Sequence, residues 1–147
     1  MDYGIFGVIE INCDILTGGR TLNLEELYEK TGGNYNEVLG RLMTPQLVRK
    51  FAVKFLDDDS FNNLCSAVEA GNREDAFRAA HTLKGVCQNM GFGYLLASAA
   101  KITEILREET DVMPEAAKDV LEEVKRDYRI TADAIRTICR HSDGEIR

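Results

Sequence analysis

Residues 76–90 read AFRAAHTLKGVCQNM and carry a clear helical period. A helix advances by about 100° per residue, and on that count six apolar side chains lie within about 60° of Leu83. These are Ala76, Ala79, Ala80, Val86, Cys87 and Met90. His81 lies about 160° from Leu83, beside Gly85 and Gln88. We therefore expect a helix with one buried face, from which the imidazole of His81 points away into water.

Two neighbours of His81 on this exposed face suggest a binding role. Gly85 follows His81 by four residues, and glycine inside a helix costs roughly 0.5–1 kcal/mol relative to alanine. Close approach of another molecule is one reason for a glycine at such a position. Lys84, one turn after His81, supplies positive charge that suits an arriving anionic group. Phosphate is the natural candidate for that group.

The rest of the chain also follows helical patterns. Asn23 precedes a short predicted helix over residues 24–30, and Asn34 begins a second one. Longer amphipathic segments start at Thr44-Pro45, after the acidic run 57–59, after Asn72, near residue 95 and at Pro114. Connections of a few residues make neighbouring helices antiparallel. We therefore predict an all-α fold, an up-and-down antiparallel four-helix bundle with additional short N-terminal capping helices.

Three regions are expected along the chain. Gly18-Gly19-Arg20 separates an apolar leader from the helical body, so residues 1–22 are taken as a loosely ordered N-terminal extension of unknown role. Residues 23–140 form the bundle, and residues 141–147 form a polar, frayed C-terminal tail. The apolar stretch 4–11 lacks a basic start and is far shorter than the ~20 residues of a membrane span. We therefore expect neither an export signal nor a membrane anchor.

Composition narrows the possible partners. The 147 residues are 44% hydrophobic and 29% charged, which fits one soluble globular domain. A net charge of −7 argues against nucleic acids and anionic membrane surfaces as partners. The four cysteines lack the paired spacing of a metal site, so we expect a reduced, cytoplasmic protein without a bound metal. Neither Gly18-Gly19 nor Gly32-Gly33 is followed by the residues of a nucleotide-binding loop.

The run from Ala80 to Gly85 (AHTLKG), with Met90-Gly91 downstream and an amphipathic segment over 95–106, resembles the signature of the histidine-containing phosphotransfer (HPt) domain. The resemblance extends more loosely from about residue 45 to residue 138. It implies a phosphocarrier of a two-component phosphorelay, which exchanges a phosphoryl group with the aspartate of response-regulator receiver domains. Such a protein has no ATP-dependent kinase activity of its own. Neutral imidazole is a suitable nucleophile for this exchange near neutral pH.

The resemblance also assigns roles to individual residues. His81 would be the phosphoacceptor, Lys84 would stabilise the phosphoryl group, and Gly85 would leave room for the receiver. The helical angle count adds further candidates for partner contacts: Phe77, Arg78 and Gln88. We expect no cofactor on this chain, because the receiver carries Mg²⁺. Receiver domains are the expected partners, with a hybrid sensor histidine kinase as a further candidate, and the protein is expected to be a monomer.

Alternative interpretations remain open at this point. The chain could be a helical-bundle adaptor that binds receivers or other signalling partners without accepting phosphate, although His81, Lys84 and Gly85 together favour the phosphocarrier. A metal-binding role for His81 is weak, because His141 is the only other histidine and no ligand follows His81 by three or four residues. The phosphoacceptor module of a chemotaxis-type kinase is disfavoured by the lack of dimerisation and ATP-binding domains, unless the chain is a fragment.

Periodicity also predicts the core. Met90 and Cys87 are expected to pack inside, as are three aromatic residues: Phe51, Phe55 and Phe61. Phe92 occupies a position where members of the resembled family often have a small residue.

Overall fold

The computed structural model describes the backbone of residues 23–146 and the side chains of residues 23–138. Over this range the chain is helical and contains no strand, which confirms the all-α prediction. Its helices are α1 Leu24–Lys30, α2 Tyr35–Leu42, α3 Pro45–Phe55, α4 Ser60–Glu69, α5 Arg73–Met90, α6 Gly93–Leu106 and α7 Glu115–Ile146. None of them has the length and apolar character needed to cross a bilayer. The predicted extension, residues 1–22, lies outside the described residues.

Local side-chain chemistry explains where several helices begin. Four side chains accept a hydrogen bond from the backbone N–H three residues further on: Asn23, Asn34, Thr44 and Asn72. Asn23 forms a full capping box, because the Glu26 carboxylate accepts a hydrogen bond from the Asn23 backbone in return. Each cap satisfies an amide that the first turn leaves without a helical partner. The predicted starts of α1, α2, α3 and α5 are therefore confirmed.

Helix α5 lies in the middle of the molecule, with α4 packed along one side and α6 along the other. Helix α6 packs in turn against α7, which also contacts α4. Arg73, at the start of α5, donates hydrogen bonds to the carbonyl oxygens of Leu106 at 2.6 Å and Thr110 at 3.0 Å. Because Leu106 ends α6 and Thr110 lies in the segment that follows it, the start of α5 meets the end of α6 and the two helices run antiparallel. The site-bearing helix is thus supported on both sides by the bundle.

The buried face of α5 is the one predicted from its period. Six of its side chains are buried: Ala76, Ala79, Ala80, Leu83, Cys87 and Met90. Val86 is half-buried at the edge of this face. Phe92, in the turn after α5, is fully buried, stacks on Tyr28 at 5.7 Å and meets the edge of Phe55 at 5.1 Å. The aromatic residue at this turn therefore fills the space between α1 and the bundle.

Two turns in backbone contact join the N-terminal helices to the bundle. The turn after α1 contains Gly32 and Gly33, and the turn after α5 contains Gly91 and leads to Gly93. A methyl group on Gly33 would overlap the carbonyl oxygen of Gly91, and one on Gly93 would overlap that of Gly32. Only glycine at these two positions permits the backbones to approach so closely. Helices α1 and α2 thereby cap the end of the bundle where α5 terminates.

Two details differ from the sequence prediction. Phe51 was expected in the core but is 38% exposed, because α3 turns Val48, Ala52 and Phe55 inward and leaves Phe51 at the edge of that face. The helical backbone of α7 continues to Ile146, six residues beyond the predicted end of the bundle at residue 140. No proline lies between Glu115 and Ile146 to interrupt it. Residues 141–146, predicted as a frayed tail, therefore continue the last helix.

Candidate functional site

His81 lies on the exposed face of α5, opposite the buried face centred on Leu83. The helix continues without interruption from Arg73 to Met90, so each residue keeps the direction given by the helical period. The predicted outward direction of the imidazole is therefore confirmed. It is accessible to a partner that approaches from solvent.

The ring of Phe77 lies one turn before His81, with ring centroids 6.0 Å apart and planes inclined by 41°. Phe77 is half-buried and packs against the hydrophobic core with its inner edge. Its exposed part forms an apolar surface beside the imidazole. A half-buried aromatic next to the nucleophile suits the hydrophobic docking role predicted for Phe77.

A cation at the end of the neighbouring helix reaches Phe77, and no pattern in the sequence predicted it. The Cζ atom of Arg107 lies 5.3 Å from the ring centroid of Phe77, within the range of a cation–π contact. Its guanidinium also donates a hydrogen bond to the carboxylate of Glu104 at 2.9 Å. Arg107 follows the last residue of α6 directly. No local sequence signal marks Arg107, because its place over Phe77 depends on how α5 and α6 pack.

Lys84 is half-buried one turn after His81, on the side of α5 that faces α6. The hydrogen bond from Arg107 and the charge of Arg107 lower the pKa of Glu104, and the charge of Lys84 lowers it further. The ammonium of Lys84 therefore lies within electrostatic range of this carboxylate. Lys84 and Arg107 therefore both act on the same carboxylate of α6.

Gly85 is half-exposed on the same face, and nothing inside the protein requires a glycine there. Its backbone is helical, and a methyl group built on it would meet no heavy atom within 4 Å outside its own helical backbone. The fold would therefore accept alanine and gain helix propensity. This openness supports the interpretation that an approaching partner is the reason for glycine at position 85.

The other predicted contact residues occupy the ends of this face. Arg78 is exposed and forms ion pairs with Glu74 and Asp75, both at 2.9 Å, so a partner would have to compete with these carboxylates. Gln88 is exposed two turns beyond His81. Its backbone carbonyl oxygen accepts a hydrogen bond from the guanidinium of Arg41 in α2 at 3.3 Å. Arg41 thus fixes the capping helices against the far end of the face. The contacts themselves stay predictions.

On the side away from α6, a shallow groove of about 250 Å³ separates α3 from α5. Phe51 and Lys54 line it from α3, and Val86 and Asn89 line it from α5. Exposed apolar side chains continue along this part of the chain, with Leu47 37% exposed and Met43 76% exposed.

The nucleophilic thiols among the described side chains are far less available than His81. Burial raises the pKa of Cys87, which has no exposed surface, and also raises the pKa of half-buried Cys65. Both thiols stay protonated near neutral pH and are poor nucleophiles. Within the described residues, no three potential metal ligands lie close enough together to hold an ion. His141 lies beyond the described side chains.

An all-helical domain with an exposed histidine on its central helix, followed within one turn by a lysine and an open glycine, has the features of a phosphotransfer module. The sequence model of the Hpt domain family matches residues 55–136, which is more than half of the chain. The chain therefore belongs to the Hpt domain family, as the resemblance predicted. Hpt domains are phosphocarrier modules of phosphorelays rather than kinases, and they interact with receiver domains and kinases. Comparisons with curated proteins and with solved structures found no match.

Proposed function

We propose that this protein is a histidine phosphocarrier that accepts a phosphoryl group on His81 from the aspartyl phosphate of a receiver domain and returns it to another receiver. One observation carries the proposal. The exposed imidazole of His81 stands on the open face of α5, inside the segment that matches the Hpt family. The lysine and the open glycine that follow it fit the same role.

The transfer is an exchange between two high-energy bonds. The unprotonated ring nitrogen of neutral His81 attacks the phosphorus of the aspartyl phosphate, and a P–N bond forms. The P–O bond to the aspartate breaks, and its electron pair remains on the aspartate carboxylate. The other ring nitrogen keeps its proton. Return of the group to a receiver reverses these steps, so no oxidant, reductant or nucleotide is consumed.

Lys84 would stabilise the charge of the phosphoryl group, and its half-buried position one turn after His81 supports this role. Gly85 leaves the backbone of α5 open for the loops of the receiver. Phe77, Arg78 and Gln88 would contact the docked partner around the imidazole. The receiver would supply Mg²⁺, so this chain would act without a cofactor of its own.

We also infer that the protein acts as a monomer in the cytoplasm. The phosphorelay partners would be receiver domains and, where one exists, a hybrid sensor kinase that ends in such a domain. The lack of paired cysteine spacing agrees with a reducing compartment.

The test is phosphotransfer from radiolabelled receivers. The purified protein is mixed with each phosphorylated receiver of the source organism in the presence of Mg²⁺. We expect an acid-labile, base-stable label on the wild-type protein, and none on His81→Gln. His141→Gln is the matched control and should retain the label. Incubation with labelled ATP alone should leave the protein unlabelled.

The same experiment separates the phosphocarrier from an adaptor. Since His81 is exposed, the His81→Gln variant should unfold at the wild-type temperature, so a loss of label cannot be attributed to misfolding. If receivers bind the wild-type protein but no receiver transfers its phosphoryl group, the phosphocarrier proposal is wrong. The protein would then be a non-catalytic adaptor.

A further inference from the structure

The carboxylate of Glu104 is paired with Arg107, whose guanidinium lies over the ring of Phe77, the aromatic neighbour of His81. It accepts hydrogen bonds from Nε and Nη2 of Arg107, and it is within electrostatic range of Lys84. Glu104 and Arg107 are both exposed, with side chains 63% and 53% accessible. An exposed ion pair of this kind contributes little to folding stability. Stability alone therefore does not account for a carboxylate paired with the arginine that covers Phe77.

A short series of contacts links this ion pair to the imidazole. The ring of Phe77 lies 6.0 Å from that of His81, and the guanidinium of Arg107 lies 5.3 Å from Phe77 on the α6 side. Arginine has four rotatable side-chain bonds, so a modest change of rotamer moves its guanidinium by several ångströms. Arg107 can therefore turn from Glu104 across the face of Phe77 toward a group attached to His81.

We propose that Glu104 is a resident anion that competes with the phosphoryl group of His81 for Arg107 and Lys84. This inference rests on the proposed phosphorylation of His81. In the unmodified protein, Glu104 holds Arg107 by hydrogen bonds and attracts Lys84. After transfer, the phosphoryl group carries more negative charge than a carboxylate and offers three acceptor oxygens, so both cations turn toward it.

The competition has a direct consequence for the carrier. Every cation that turns to the phosphoryl group must leave Glu104, and the loss of its interaction with Glu104 offsets part of its attraction to the phosphoryl group. Glu104 therefore weakens the affinity of the site for phosphate and favours release to the next receiver. It acts as a positioning residue, through Arg107 and Lys84, and it does not touch the reacting atoms.

The test measures the equilibrium constant for phosphoryl exchange between one phosphorylated receiver and this protein. Glu104→Gln should shift that constant about 2- to 5-fold toward phosphohistidine at low salt, because Arg107 and Lys84 no longer have a competing anion. The shift should diminish in 0.5 M salt, since exposed charges are screened. Arg107→Gln should shift the constant in the opposite direction. In the Arg107→Gln background, the effect of Glu104→Gln should fall to less than half.

Asp133→Asn is the matched control. It removes an exposed ion pair of the same spacing, with Arg136 at 3.1 Å on α7, and it should leave the equilibrium unchanged. If Glu104→Gln behaves like Asp133→Asn, or shifts the equilibrium toward the receiver, the competition does not exist. Equal unfolding temperatures for all variants would show that any shift is a property of the site.

Chemical labelling separates this inference from the proposed function. Phosphoramidate phosphorylates accessible histidines without a receiver, and the hydrolysis of the labelled protein can then be followed. Glu104→Gln should lengthen the half-life of phosphorylated His81 by about 2- to 5-fold. If receivers fail to label the wild-type protein but this half-life changes as expected, the phosphocarrier proposal is wrong and the competition holds. An unchanged half-life together with normal receiver transfer overturns only the competition.

Discussion

Replacement of Gly85 by alanine should make the protein more stable and a slower phosphocarrier. The backbone at position 85 is helical, and the added methyl group meets no heavy atom within 4 Å outside its own helical backbone. The substitution therefore removes the conformational cost of glycine without a steric penalty. A gain of about 0.5–1 kcal/mol follows from helix propensity, which corresponds to a rise of about 1–4 °C in Tm for a domain of this size.

The effect on function should have the opposite sign. If Gly85 is open for the loops of a receiver, a methyl group should reduce the rate of transfer several-fold, and Gly85→Leu should reduce it further. Stability is measured by thermal and urea unfolding, and transfer by the rate at which label from a phosphorylated receiver appears on His81. The two measurements use the same preparations, so a loss of transfer in a more stable protein cannot be caused by unfolding.

Gly40→Ala is the matched control. Gly40 lies in helix α2, and a methyl group there also meets no heavy atom within 4 Å outside its own helical backbone. It should give a similar gain in stability with no change in transfer. A Gly85→Ala variant that is less stable than wild type would refute the structural reasoning. Normal transfer by Gly85→Leu would refute the docking role.

Three further predictions concern the core and the thiols. Phe92→Ala should lower the free energy of unfolding by about 3–5 kcal/mol, because a fully buried aromatic side chain is lost; a loss below 1 kcal/mol in urea unfolding would contradict this. Gly33→Ala should lower the free energy of unfolding by about 1–3 kcal/mol, because its methyl group overlaps the backbone of Gly91. An unchanged Tm would show that the two turns separate easily. Burial raises the pKa of both Cys65 and Cys87, so alkylation should be slow at pH 8, should accelerate with pH as thiolate forms, and should modify Cys65 first. Mass spectrometry of a variant whose other cysteines are serine would test this order, and rapid labelling of Cys87 in the folded protein would contradict it.

Local patterns in the sequence were sufficient to predict the helices and the direction of His81. Helix caps such as Asn23 and Asn72 act within three residues, and the buried face of α5 follows from a period that a single helix defines. The same period placed Phe77 and Lys84 at the border of that face, where both are half-buried. These features depend only on the backbone geometry of one helix, so they can be predicted without knowing how the helices pack against each other.

The features that the sequence did not reveal depend on contacts between distant segments. Arg107 lies over Phe77 only because α5 and α6 pack antiparallel in one particular register. Glu104 is in range of Lys84 for the same reason. Phe51 has the helical spacing of a core residue. Its side chain nevertheless points to one side of the direction shared by the buried residues of α3, so it lies at the edge of the buried face. The spacing of residues within one helix does not show how much of the edge of its apolar face a neighbouring helix buries.

The contact between the two glycine turns has a practical consequence for work on shortened forms of the protein. Sequence similarity to the family begins at residue 55, yet Leu27 and Tyr28 of α1 are buried against the rest of the domain, and Arg49 donates a hydrogen bond to the carbonyl oxygen of Ile138 at 2.7 Å. A polypeptide limited to residues 55–136 would lack α1, so Phe92 would be exposed at one end of the bundle and the fragment would be prone to aggregate. The part of the chain that folds as one unit is therefore larger than the part that matches the family, and an expressed fragment should start no later than Asn23.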